Sequence, residues 1–138
     1  MSISTPPRIL DASAVVELAG GHPELMLLLQ RAAAEHVMLA MPALAVAEAN
    51  AVLRLEENVW YHLFASTNLH EQSLSWSGAV AAGAIAAPRL EHHPMQPALI
   101  GPIMVGQVVN EAISMNGVIV TRIPEAYGAY HVSVLALE

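Results

Sequence analysis

A chain of 138 residues that is 55% hydrophobic and only 12% charged is long enough for one domain with a real core, residues 1–138, and too apolar to be disordered. Zero cysteines exclude disulfides and thiolate metal sites, while a net charge of −7, with five widely spaced arginines that form no cluster in sequence and no lysine, makes the chain a poor unaided RNA binder, although folding could gather a few arginines. The most apolar runs, Val37–Ala47 and Ala79–Ala87, are broken by Pro42 and Gly83 and fall short of the about 20 residues of a membrane span.

The polar, proline-rich stretch Met1–Pro7 has no hydrophobic h-region, so a cytoplasmic protein is expected. Ile3–Leu10 leads into a first strand that ends at Asp11, the only aspartate in the chain. Ala12–Ala19 follows as a short helix stopped by Gly20-Gly21. Pro23 opens a second helix, with Leu25, Leu28, Leu29, Ala32 and Ala33 at helical spacing up to about Glu35. His36 falls at its C-terminal end, where a partly positive ring is favourable.

Val37–Met41 is apolar throughout, as a parallel strand covered on both faces should be. Pro42 starts a helix from Ala43 to about Glu57, and Asn58–Ser66 continues helically with Trp60, Tyr61 and Phe64 as core or interface anchors. Glu71–Ala87 reads as a further helix rich in small residues and ended by Pro88. Arg89–Pro102 reads as loop with a short strand around Ala98-Leu99-Ile100; its His92-His93 pair lacks the third spaced ligand that a metal site needs. Ile103–Met115 is a helix closed by Asn116-Gly117, and Val118–Thr121 is a clear strand. Arg122–Ala129 is loop, and Tyr130–Leu137 alternates as a final edge strand.

Strands alternating with helices imply an α/β fold, a three-layer αβα sandwich with a mainly parallel sheet. In such sheets ligands bind outside the carboxyl ends of the strands, which is where Asp11 falls. A carboxylate there can hold a metal ion; it is also the residue type that caps the next helix. Glu48 is the second unusual acid, isolated amid alanines and valine. It either points to solvent from the edge of its helix or meets something positive.

With these elements placed, the chain resembles the PIN domain family. The matching residues are Leu10-Asp11-Ala12-Ser13, then Met41-Pro42-Ala43-Leu44 leading to Glu48, then Gly117–Thr121. The resemblance implies a five-stranded sheet of order 3-2-1-4-5 and a metal-dependent ribonuclease, often a toxin paired with an antitoxin. It implies Mg²⁺ or Mn²⁺ held by Asp11 and Glu48, with Ser13 and Thr121 at the neighbouring hydroxyl positions. Such a metal activates and orients a water for attack on a phosphodiester. The chain departs from the pattern at the third acid, which falls near Val105 or Gly106, and at the fourth, which falls at Ile123. Glu111 is a displaced candidate for the third catalytic acid. It lies roughly 8 Å further along the helix and on a different face. Asn110 shares a face with Gly106 but is a weaker ligand, and Glu125 reaches back only if the Pro124 loop folds over the pocket.

Two functions stay open at this point. One is a Mg²⁺- or Mn²⁺-dependent endoribonuclease acting on RNA through Asp11, Glu48 and Glu111. The other is a catalytically inactive PIN-like module that dimerises or docks an antitoxin or other protein, and in it metal binding is weak or absent. A homodimer is expected in either, since so apolar a chain has little polar surface to cover itself. A nucleotide-binding domain is disfavoured, because Gly20-Gly21 stands without a glycine-rich phosphate loop. If Asp11 and Glu48 face each other, their repulsion should raise a carboxyl pKa and make the metal-free protein more stable in mild acid.

Overall fold

The computed structural model describes residues 5–66, 69–92 and 98–138. Its elements in chain order are β1 (Arg8–Leu10), α1 (Ala12–Ala19), α2 (Pro23–Glu35), β2 (Leu39–Pro42), α3 (Ala43–Leu53) and α4 (Glu57–Ser66). There follow β3 (Leu69–Gln72), α5 (Trp76–His92), α6 (Pro102–Met115), β4 (Val118–Thr121), a 3₁₀ turn (Pro124–Tyr127) and β5 (Ser133–Ala136). The strands form one sheet of order β3-β2-β1-β4-β5. Every pairing is parallel, so the sheet is wholly rather than mainly parallel.

Burial along the central strands shows why this is a three-layer α/β fold. Successive strand residues point to opposite faces. Ile9 and Leu10, Leu39 through Met41, and Ile119 and Val120 are all buried. Both faces of the sheet are therefore covered, and the strands need continuous apolar sequence rather than alternation. α1 packs on α3, and α5 packs along α6, which in turn touches α3. No helix among the described residues is long and apolar enough to cross a membrane.

Several boundaries differ from expectation for local reasons. The helix expected from Ala43 to Glu57 breaks at Arg54, whose φ of 55° ends α3 in the left-handed region. The break is held by Asn50, whose Oδ1 accepts from the backbone N–H of Leu55 (2.8 Å) and from Trp60 Nε1 (3.0 Å). His36 and Asn116 end α2 and α6 with the same backbone conformation. The third strand is Leu69–Gln72, where the onset of a helix was expected. Ala98-Leu99 is instead a turn, with Leu99 at φ 69°. Pro88 sits inside α5 rather than ending it, so the helix continues to His92. His93 and the side chain of His92 lie outside the described residues.

One contact between helices bears on the site. Gly106 of α6 is buried, and a Cβ built on it would overlap the backbone carbonyl oxygen of Ala82 in α5. The two helices approach so closely at this point that only glycine fits.

Candidate functional site

The site is built at the carboxyl ends of β1 and β4. Asp11 follows β1 and caps α1, accepting at Oδ1 from the backbone N–H of Ala14 (3.0 Å). Ser13, in the first turn of α1, donates to the same Oδ1 at 2.7 Å. Thr121, the last residue of β4, lies 3.1 Å from Ser13 Oγ. Because the Ser13 proton is committed to Asp11, Thr121 is the donor of that pair. Ser13 Oγ accepts from the Arg122 N–H (2.9 Å), and Thr121 Oγ1 accepts from the Ile123 N–H (2.9 Å). The structure thus brings Asp11, Ser13 and Thr121 into one fully hydrogen-bonded cluster.

Tyr127 completes it, a residue that sequence reasoning passed over inside a loop. Its hydroxyl donates to Asp11 Oδ2 at 2.8 Å. Tyr127 is 2% exposed and Asp11 0%. Burial, then the neighbouring charge of Asp11, pushes the Tyr127 hydroxyl well above its ordinary pKa, which keeps it a proton donor.

Glu48 approaches from α3 and is half-buried. Its Oε1 accepts from the N–H of Gly101 (3.2 Å), the residue that caps α6. The positive group that meets this carboxylate is therefore the N-terminal end of a helix. A Cβ on Gly101 would stand 2.7 Å from the Glu48 carboxylate and displace it. Glu111 lies in the later turns of α6, half-buried and, among the described residues, without a cluster of ligands around it. The loop holding Glu125 does fold over the pocket, but it presents Tyr127 inward. Glu125 itself is exposed and lines a surface groove of about 630 Å³ with Arg89 and Tyr130.

At the third-acid position Val105 and Gly106 are buried. The next residue, Gln107, is 0% exposed. Its Oε1 accepts from the Leu44 N–H at the start of α3 (2.8 Å), and its Nε2 donates to the Gln72 carbonyl at the end of β3 (3.3 Å). Gln107 is the only polar side chain between Pro102 and Val109, and that isolation was a usable signal.

The arrangement does not fit Mg²⁺ or Mn²⁺. These cations need free carboxylate oxygens at about 2.0–2.1 Å in near-octahedral geometry, with room for waters. Asp11 is sealed from solvent with both oxygens occupied by donors of the chain, and Glu48 is bonded to Gly101. Among the described residues no three of His, Asp or Glu converge as ligands.

Electrostatically the site is costly. Asp11, Glu48 and Glu111 each have a raised carboxyl pKa, with burial the largest cause in all three. For Asp11, the hydrogen-bonding groups around it, Thr121, Ala14, Ser13 and Tyr127, oppose it; for Glu48, Asp11 adds a smaller upward push. The repulsion expected from sequence is present but secondary to desolvation. A carboxyl pKa above its unfolded value means the folded state binds more protons, so stability is full below the unfolded pKa and is lost as pH rises through the folded one. We expect the melting temperature to rise as pH falls from 7 towards about 5. Melting curves of wild type and Asp11→Asn across that range check this, and an unchanged slope in the variant sinks Asp11 as a contributor.

No protein-family model and no curated protein matches the sequence. Among solved structures, the chain is similar to the crystal structure of VapBC2 from Rickettsia felis bound to a DNA fragment from their promoter, at 15% identity and a TM-score of 0.66. The match covers 95% of this chain and 98% of that one. At that identity the likeness carries the architecture alone. What the two share is the PIN-like α/β fold, with its parallel sheet of order β3-β2-β1-β4-β5.

Proposed function

We propose that this chain is a PIN-like module that works by binding a protein partner and not by metal-dependent cleavage of RNA. The observation that carries this reading is the state of Asp11. Its carboxylate is buried and held by Ser13, Ala14 and Tyr127 in the manner of a structural core residue. Metal-assisted hydrolysis needs an open coordination position and a path for phosphate and water. The residues around Asp11 leave neither.

A protein partner is supported by the pairing of toxins with antitoxins in the family the sequence resembles, and by the structural likeness to VapBC2. It is also supported by the surface. Of the expected core or interface anchors, Trp60 is 7% exposed and belongs to the core, whereas Tyr61 beside it is 70% exposed. On α5, Trp76 and Val80 are 83% and 66% exposed, one turn apart on the same face. Such side chains are expensive to leave in water and are suited to burial against another protein.

The test is a calorimetric titration of the wild type and Asp11→Asn with Mn²⁺. We expect no heat that depends on Asp11 up to millimolar Mn²⁺. Micromolar binding that disappears in Asp11→Asn would overturn the proposal and restore the ribonuclease reading.

A further inference from the structure

We infer that Tyr127 stands in the place of a divalent cation, and that its side chain, rather than the shortage of acids, keeps metal out of the Asp11 pocket. The inference rests on the non-cleaving reading above and adds its cause. The two oxygens of Asp11 are used differently. Oδ1 receives both Ser13 and Ala14, which belong to the helix that Asp11 caps. Oδ2 accepts from Tyr127, which comes from a turn 116 residues away. Take away that hydroxyl and Oδ2 loses the donor that the turn brings to it.

The phenol also lies where both acids act on it. The charges of Asp11 and of Glu48 each help hold it protonated, while Arg89 acts in the opposite direction. A neutral O–H donated to Asp11 within reach of the charge of Glu48 supplies, in small measure, the positive charge that a cation would supply in full. The delivery of Tyr127 is itself built in. Thr121 Oγ1 accepts the Ile123 N–H that starts the turn, and the Ile123 carbonyl accepts the Ala126 N–H (3.1 Å). The hydroxyl network that surrounds Asp11 thus also positions the side chain that seals it. Mg²⁺ and Mn²⁺ sites are commonly completed by one or two carboxylates with waters. Asp11, with Oδ2 freed, and Glu48 would supply that number of carboxylates.

The experiment counts bound Mn²⁺ from the loss of the free-ion electron paramagnetic resonance signal, with circular dichroism to confirm folding. It compares wild type, Tyr127→Ala and Asp11→Asn/Tyr127→Ala. We expect folded Tyr127→Ala to bind Mn²⁺ at least about tenfold more tightly than wild type, and the double variant to lose the gain. Should Tyr127→Ala not fold, Tyr127→Leu keeps an apolar stem in the core, ends short of Asp11 and carries the same expectation. A folded Tyr127 variant that binds no more Mn²⁺ than wild type overturns the inference and leaves the non-cleaving reading standing. Binding by the wild type that Asp11→Asn abolishes overturns both.

Discussion

Gly106→Ala should destabilise the protein by about 3 kcal/mol or more, near the upper end of the usual cost of overpacking. The added Cβ would run into the Ala82 carbonyl, and a backbone atom in the middle of a helix cannot turn aside as a side chain can. α5 and α6 would have to separate. α6 cannot move freely either, because the adjacent Gln107 ties it to the start of α3 and to the end of β3. Gly83→Ala is the control. Gly83 lies in α5 with nothing near its missing Cβ, so alanine there should stabilise by about 0.5–1 kcal/mol through helix propensity alone. Urea denaturation of both variants measures the contrast. Equal midpoints would show that the close approach of the helices is not real. The same contact bars an acid from position 106, so Gly106→Asp should fail to fold before it could supply a ligand.

Asp11→Ala should cost about 3–5 kcal/mol, while Asp11→Asn should cost no more than about 1–2 kcal/mol. Alanine removes the cap of α1 and leaves the Ala14 N–H and the hydroxyls of Ser13 and Tyr127 without their acceptor in a buried place. Asparagine keeps a carbonyl for Ser13 and Ala14. Its NH₂ faces Tyr127, whose oxygen can turn from donor to acceptor. It also removes the desolvation cost of the buried charge, which partly offsets the weaker bonds. If the chief task of Asp11 were to hold a metal, the metal-free protein would tolerate alanine about as well as asparagine. Chemical denaturation in the presence of a chelator separates these outcomes.

The parts of the fold that could be read from sequence are those where an apolar run meets a polar or breaking residue. Ile9-Leu10 before Asp11 and Val118-Ile119-Val120 before Thr121 are central strands buried on both faces, and their composition says so. The ends of α2 and α6 at His36 and Asn116 were legible for a similar reason, since caps leave a local mark. β3 left none. In Leu69-His70-Glu71-Gln72 only Leu69 is buried, because an edge strand with one covered residue needs no apolar run. Pro88 suggested a helix end, but it lies on the exposed side of α5, where the helix goes on past it.

In the site, Asp11 was foreseeable because ligands bind at strand ends in a parallel sheet, and Ser13 and Thr121 through the resemblance to the PIN family. Tyr127 was not. Its contact spans 116 positions and depends on how a short turn folds, which neither periodicity nor spacing encodes. Glu111 was considered because it is an acid on the right helix, yet the helix carries it past the pocket.

The central strand has a consequence for how the chain is made. β1 pairs on one side with β2, through Arg8 and Leu39, and on the other with β4, through Arg8 and Val118. During synthesis one flank of β1 can be covered early, while the other must wait until Val118–Val120 have left the ribosome. Through that interval Ile9 and Leu10 present an unpaired backbone edge at the heart of the future core. Such pairings of high sequence separation fold slowly and leave the nascent chain open to wrong partners. The interval closes only when α6 and β4 arrive, so the segment Pro102–Thr121 sets the pace for β1.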